Sequence, residues 1–210
     1  MAAGDRSKKI KDRIKLITGI SNTEMPDSMI YSIADTIVER VAEETLSIQK
    51  NDTLTVTSGV ASEPTGLFRI KVVVMPSSTY LQPIEVDAIT YDEYTRVNPI
   101  SSAFVPKIYK RWVDANEAKK LTFFPSETAT YSILYYAIPT TNISSTIDPE
   151  TPTRYDNLIY YGVLSELLPM NGKLDVATYY RGLFINELEV NKNLQRKEKS
   201  TTNLISFYDI

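Results

Sequence analysis

The chain has 210 residues, of which 42% are apolar and 23% are charged, a composition typical of a globular protein with a sizeable core. It contains no cysteine and no histidine. Their absence excludes disulfides, cysteine metal sites and the Ser-His-Asp triad, and it removes the commonest general base. The net charge of −3 disfavours general binding to nucleic acids. We therefore expect a protein that is not an enzyme and that holds no cofactor and no metal ion.

Two further signals are missing from the sequence. No apolar run approaches the roughly 20 residues that a membrane-spanning helix needs, and the N-terminal residues lack the apolar stretch of a secretory signal. The seven glycines form neither a G-x-G-x-x-G fingerprint nor a Walker loop. The sequence thus predicts no membrane association and no phosphate-binding loop.

Residues 1–52 have the periodicity of helices. In "SKKIKDRIKLIT", isoleucines recur at helical spacing, and we expect Gly19 to end this helix. A second helix is expected to have Asp27 or Ser28 as its N-cap and to be closed by "QKNDT". The apolar residues are Ile10, Ile14 and Ile17 in the first helix, and Ile30, Ile33, Ile37, Val41 and Ile48 in the second. Five cations within residues 8–15 fit either a solvated helix face or a site for phosphates or an acidic partner.

Residues 53–152 form the predicted β domain. They contain nine of the eleven prolines, which disfavours long helices. The runs with strand character are "TLTVT", "LFRIKVVVM", "QPIEVDAI", "KIYKRWV", "KLTFFP" and "TYSILYYAI". The segment "TYDEYTRV" fits a short helix or a turn. About six short strands predict a sandwich or an open barrel.

Helical periodicity returns in residues 153–198. One helix, "YDNLIYYGVLSELL", ends at "PMNG", and the next begins near Asp175. Their apolar residues are Leu158, Tyr161, Leu164 and Leu168, and then Ala177, Tyr180, Phe184 and Leu188. Gly182 inside the second helix costs about 1 kcal/mol relative to alanine, and the close approach of another backbone would explain it. Residues 199–210 are expected to be an extended C-terminal tail. This order predicts an α+β fold in which a bundle of N- and C-terminal helices carries an inserted small antiparallel β domain.

The segment "TYSILYYAI" carries apolar side chains on both faces of the predicted strand. Alternation places Tyr131, Ile133 and Tyr135 on one face and Leu134 and Tyr136 on the other. A strand at the surface would alternate apolar and polar residues, so something covers both faces here. Either helices of the same chain or a neighbouring subunit can do so. The second alternative makes Tyr131, Tyr135 and Tyr136 a candidate subunit interface.

The residues that could take part in catalysis or ligand binding can also be explained by structural roles. Four carboxylates, Glu85, Asp87, Asp92 and Glu93, could act as acid and base or bind Ca²⁺. They follow neither an EF-hand nor a glycosidase pattern, so we interpret them as solvated acids of a turn. Trp112 and the fourteen tyrosines could stack on sugars or bases. Aromatic residues are also common in strands and at protein interfaces, which is the interpretation we prefer.

Three consecutive segments resemble a known family. They are "LTFFPSETATYSILYYAIPTTNI", "IDPETPTRYDNLIYYGVLSELL" and "DVATYYRGLFINELE". A strand ending near Pro125 is followed by a tyrosine-rich strand that ends in Y-x-x-P at Pro139. An acidic, proline-containing loop at residues 148–152 then leads into two helices. Over residues 105–195 this pattern is similar to that of the head-to-tail adaptor (connector, ring) proteins of tailed bacteriophages.

The resemblance implies a structural protein at the head–tail junction of a virion, assembled in the host cytoplasm. It also implies a homo-oligomeric ring, since the members of this family form rings, commonly of twelve subunits. The ring docks on the portal protein, contacts a tail or second ring protein, and extends the channel through which DNA passes without sequence-specific binding. A carbohydrate- or ligand-binding β module of a tail or surface protein is the alternative, and an Asp/Glu-dependent hydrolase is a weaker third.

The C-terminal tail is the candidate partner-binding segment. A polar spacer, "KSTTN", separates the last predicted helix from a short apolar motif. The apolar residues of this motif are Leu204, Ile205, Phe207, Tyr208 and Ile210. They are too few to form a core, so the tail either folds back or inserts into the portal or a neighbouring chain by strand addition or pocket filling.

Overall fold

The computed structural model describes residues 4–19, 25–74, 83–98 and 107–205. It divides the chain into two compact units. One consists of Met1–Ile48 with Ile138–Ile210, and the other of Gln49–Ala137. The first unit is helical and the second contains all the described strands, so the predicted α+β class is confirmed.

The elements have the following bounds. The helices are α1 (Asp5–Thr18), α2 (Asp27–Thr45), α3 (Ala88–Val97), α4 (Asp156–Met170) and α5 (Leu174–Ile205), with a short 3₁₀ turn at Thr153–Tyr155. The strands are β1 (Gln49–Val56), β2 (Val60–Ser62), β3 (Leu67–Val74), β4 (Ile84–Glu85), β5 (Ile108–Val113), β6 (Lys119–Phe124) and β7 (Ala129–Ala137). None of the described helices combines the length and the apolarity needed to cross a bilayer.

The ends of the first two helices show which sequence signals act locally. Gly19 ends α1 as predicted, because its left-handed φ of 66° breaks the helix and its N–H donates to the Lys15 carbonyl. Helix α2 begins at Asp27, with Pro26 at the N-cap position, so the predicted N-cap is wrong. The prediction that "QKNDT" closes α2 is also wrong. Leu46, with a φ of 48°, ends α2 earlier, and the polar residues after Ile48 pair with β7 as the start of β1.

Helix α4 lies at the centre of the helical unit. It contacts α1, α2 and α5, because its apolar residues surround the helix axis instead of forming one stripe. The fully buried residues of α4 include Leu158, Ile159, Val163, Leu164 and Leu167. Phe184 and Leu188 of α5 are buried against the same core, as predicted.

The β unit consists of two sheets. Their strand orders are β1-β7-β3 and β2-β6-β5-β4, and all pairs are antiparallel except β4 with β5. The ring of Phe123 in β6 stacks on that of Tyr131 in β7 with centroids 5.0 Å apart. This aromatic contact joins the two sheets of the β unit. Of the described residues in "QPIEVDAI", only Ile84–Glu85 form a strand, because Asp87 accepts a hydrogen bond from the Thr90 N–H and begins α3.

The segment that follows β7 belongs to the helical unit, although the sequence analysis places it in the β domain up to residue 152. Ile143 is buried in the helical core, and its N–H donates to Asp35 Oδ1 of α2 at 2.6 Å. Arg6 of α1 donates to the carbonyls of Pro149 and Thr151 at 2.9 and 2.8 Å. These contacts attach the segment between β7 and α4 to the helices, and the β unit ends at Ala137.

Helix α5 continues further than predicted. Residues 199–205, expected to be extended, are helical and part of the 32-residue helix. The physical reason is local, because the preceding run of Lys, Glu, Gln and Arg favours helix and no glycine or proline interrupts it. Phe207, Tyr208 and Ile210 lie outside the described residues.

Candidate interaction surfaces

The predicted carboxylate cluster serves local structure. Asp92 accepts a hydrogen bond from Lys110 Nζ at 2.7 Å, and Glu85 accepts one from the Tyr109 hydroxyl at 3.4 Å. Hydrogen bonds from the backbone and side chain of Thr90 hold the pKa of Asp87 below its ordinary value. Within the described residues, no group of three or more acidic side chains could hold a metal ion. The geometry supports the interpretation of these residues as solvated acids.

The basic face of α1 is largely engaged inside the helical unit. Lys11 and Lys15 both pair with Asp27 of α2, and chiefly the hydrogen bond from Lys15 lowers the pKa of that carboxyl. Arg13 donates to Asn157 Oδ1 at 2.9 Å, and its guanidinium lies 4.2 Å from the centroid of the Tyr160 ring. Lys8 and Lys9 are exposed and have no partner among the described residues. Only this pair is left to meet a ligand or a neighbouring protein.

Tyr131, Tyr135 and Tyr136, predicted as a subunit interface, are buried within the chain itself. Their exposed fractions are 1, 3 and 5%. The Tyr131 hydroxyl donates to Glu127, which also accepts from Lys107 Nζ at 2.6 Å. Burial raises the pKa of Glu127, but these two hydrogen bonds outweigh it and hold the pKa below its ordinary value. The burial gives no support to an interface role, because these side chains have almost no surface left for a neighbour.

The second face of β7 is covered unevenly. Ser132 is exposed, Leu134 is half-buried and Tyr136 is buried. Since β7 is the middle strand of its sheet, its backbone is paired on both sides. The chain by itself accounts for the apolar side chains on both faces, so no neighbouring subunit is needed to explain them.

Trp112 combines an anchored indole with an exposed ring. Its Nε1–H donates to Thr122 Oγ1 on β6 at 2.7 Å, while 41% of the residue is exposed. The cross-strand hydrogen bond fixes the ring on the sheet. This is the geometry of a strand anchor, and no second aromatic ring is stacked beside it within the described residues.

Four tyrosines form a cluster at the seam between α4 and α5. Tyr161 and Tyr180 stack with centroids 6.1 Å apart. Tyr160 lies 5.7 Å from Tyr161, and Tyr179 lies 5.4 Å from Tyr180 in an edge-on arrangement. This cluster is not among the features predicted from the sequence. The sequence signal for it is the occurrence of two adjacent tyrosine pairs, Tyr160–Tyr161 and Tyr179–Tyr180, in the two helices that pack together.

Helix α5 also exposes apolar residues that are not part of its packed stripe. We define the outer face of α5 by Val176, Tyr179, Leu183, Val190 and Leu194. At 3.6 residues per turn these positions fall within about 60° of arc, roughly a third of a turn from the buried Ala177, Phe184 and Leu188. Leu183 is half-buried, and the exposed fractions of Tyr179, Val190 and Leu194 are 62, 51 and 54%. A surface helix normally presents polar residues there, so the outer face departs from the usual pattern by exposing apolar side chains.

The sequence matches a known family along most of its length. A search of curated proteins finds no similar sequence. The profile of the SU10 adaptor protein family matches residues 8–205, which include both helical segments and the β insertion between them. The chain therefore belongs to the SU10 adaptor protein family, a family of phage head-to-tail adaptors.

Proposed function

We propose that the protein forms a homo-oligomeric ring that docks on the portal and extends the DNA channel toward a tail or second ring protein. The family match over residues 8–205 supports this proposal, because it makes the chain a structural adaptor of the phage virion. An adaptor works through contacts, so its function needs surfaces rather than a catalytic pocket. We propose accordingly that it catalyses no reaction.

The surface of the helical unit supports a role in assembly. Contiguous exposed apolar residues on a folded chain mark interaction sites more often than solvated surface. Helix α5 exposes such residues along about five turns, from Val176 to Leu194, and α1 adds Leu16, which is 83% exposed. Burial of these side chains against neighbouring proteins would be favourable, which supports a subunit that works within an assembly.

We propose that the C-terminal residues contact the portal or a neighbouring chain. The residues concerned are Leu204, Ile205, Phe207, Tyr208 and Ile210. A 32-residue helix is about 48 Å long, so α5 carries Leu204 and Ile205, at its C-terminal end, far from the core that Phe184 and Leu188 share with α4. Burying each apolar side chain in a partner would contribute roughly 1.5–3 kcal/mol.

We propose that DNA passes the ring without being bound in a sequence-specific manner. A channel must let DNA slide, and strong attraction to phosphates would hinder this. The net charge of −3 and the internal pairing of Lys11 and Lys15 fit a surface with little general affinity for DNA.

Binding to portal rings of the same phage tests the proposal. The full chain should sediment with the portal and form a defined multimer, whereas a chain that lacks residues 204–210 should fold but bind more weakly. A control chain with Ser200→Ala and Thr201→Ala should bind like the original chain. If the full chain stays monomeric and does not bind the portal, the proposed function is wrong. If the shortened chain binds at full strength, only the role of the C-terminal residues is wrong.

A further inference from the structure

The outer face of α5 is bordered by two residues, Gly182 and Glu187, that the described part of the chain does not explain. A Cβ added to Gly182 would meet nothing within 4 Å, so none of the described residues requires a glycine there. On the other border, Glu187 is half-buried, and burial alone raises the pKa of its carboxyl. No cation among the described residues pairs with it. Both residues make sense against a second helix, because glycine allows close approach and the carboxylate would gain a cation.

The edge of α1 has complementary properties. Lys9 and Leu16 are exposed and lie seven residues apart, on the same side of α1. Lys9 has no partner among the described residues, and Leu16 is the most exposed large apolar residue there. The described part of the outer face of α5, in contrast, carries no lysine or arginine. Asp12 lies between Lys9 and Leu16 on this side, but its carboxylate already pairs with Lys11 at 3.2 Å. Lys9 can therefore supply the cation that Glu187 lacks, which favours α1 of another copy as the occupant of this face.

The spacings of the two surfaces agree. Lys9 and Leu16 are separated by about 10 Å along α1, at 1.5 Å per residue. On α5, Leu194 lies seven residues after Glu187, and Tyr179 lies eight residues before it. With Lys9 placed at Glu187, Leu16 would thus meet an apolar residue of the outer face whichever direction the helices take.

We propose that the outer face of α5 packs against the α1 edge of a neighbouring copy, with Lys9 of one subunit at Glu187 of the next. This inference rests on the proposed ring and names the surfaces that join its subunits. The two surfaces are different patches of one chain, so the contact is heterologous and generates a closed ring where the rotation fits. The mainly apolar contact supplies the area, and the ion pair fixes the register.

Charge reversal tests the contact. Glu187→Lys and Lys9→Glu should each raise the concentration at which the multimer dissociates by about ten-fold or more, and the double variant should recover most of this loss. Val190→Asp should weaken the multimer through its apolar centre. Glu39→Lys, a reversal at an exposed site on α2, serves as the matched control and should assemble like the original chain. Analytical ultracentrifugation measures the mass, and circular dichroism shows that each variant is folded.

Other results would overturn the inference. If the original chain assembles and Glu187→Lys and Val190→Asp assemble equally well, the outer face of α5 is not the subunit interface, although the ring stands. If these variants keep the multimer but lose binding to portal rings, the occupant is the portal. If Lys9→Glu has no effect and rescues nothing, α1 is not the partner surface. An original chain that never assembles, alone or on the portal, shows without any variant that the ring itself is wrong.

Discussion

Gly162 of α4 lies against the ring of Phe184 in α5. A Cβ at this position would be 3.0 Å from Phe184 Cε2 and 2.6 Å from Ile37 Cγ2 of α2, distances that are too short for carbon atoms in contact. The missing side chain lets α4 approach both neighbouring helices. Gly182 on the exposed side of α5 has no such neighbour within the chain. The two helical glycines therefore have opposite relationships to the core.

Replacing these glycines by alanine should change the free energy of unfolding in opposite directions. Gly162→Ala is expected to destabilise the subunit by about 1–3 kcal/mol, because the methyl group forces Phe184 or Ile37 to move. Gly182→Ala should stabilise the monomer by up to about 1 kcal/mol, because alanine has the higher helix propensity. Urea unfolding below the concentration of assembly measures both. A stable Gly162→Ala variant would contradict the close packing of the three helices.

The core of the helical unit should respond strongly to truncation. Leu164→Ala and Phe184→Ala are each expected to lower the free energy of unfolding by about 2–5 kcal/mol, because both side chains are buried and their removal leaves a cavity. Val190→Ala on the exposed side of α5 is the control and should change it by less than about 0.5 kcal/mol. Thermal or urea unfolding distinguishes the two groups. Equal small effects at all three positions would refute the assignment of the buried side of α5.

The contacts of Asp27 with Lys11 and Lys15 should make the free energy of unfolding depend on pH in the acidic range. The folded-state pKa of Asp27 lies below its ordinary value. Its contribution is therefore fully present above that value and disappears as the pH falls through the lowered pKa. The original chain should lose more stability than Asp27→Asn between about pH 6 and about pH 3. Urea midpoints across this range measure the difference, and identical slopes for the two proteins would show that the lysines do not stabilise the ionised carboxyl.

The isolated subunit should bind duplex DNA weakly. Of the five cations in residues 8–15, Lys11 and Lys15 pair with Asp27, and Arg13 contacts Asn157 and Tyr160. We expect a dissociation constant well above about 1 μM at physiological salt, as for nonspecific binding. A fluorescence titration against salt concentration tests this. Sub-micromolar binding that is lost in Lys8→Ala/Lys9→Ala would identify the start of α1 as a functional DNA contact.

Local signals in the sequence were sufficient for much of the fold. The spacing of Ile10 and Ile14 and the position of Gly19 determined α1, because the apolar period and a left-handed terminator act within a few residues. The order of helices, strands and helices likewise determined the α+β class. The segments around the tyrosine-rich strand also carried the family resemblance, which the match over residues 8–205 confirmed.

Only the tertiary structure decided which surfaces are covered. Tyr136 and Val190 are both apolar residues at regular positions, yet the first is buried and the second is exposed. Likewise, Asp27 has the sequence of an N-cap but pairs with lysines sixteen and twelve residues away in the chain. Helix α5 has a second apolar stripe beside the predicted one of Phe184 and Leu188, and only the packing against α4 shows that this second stripe stays exposed. Periodicity places side chains on a face of an element, whereas burial depends on contacts between elements distant in sequence, and these form only when the chain folds.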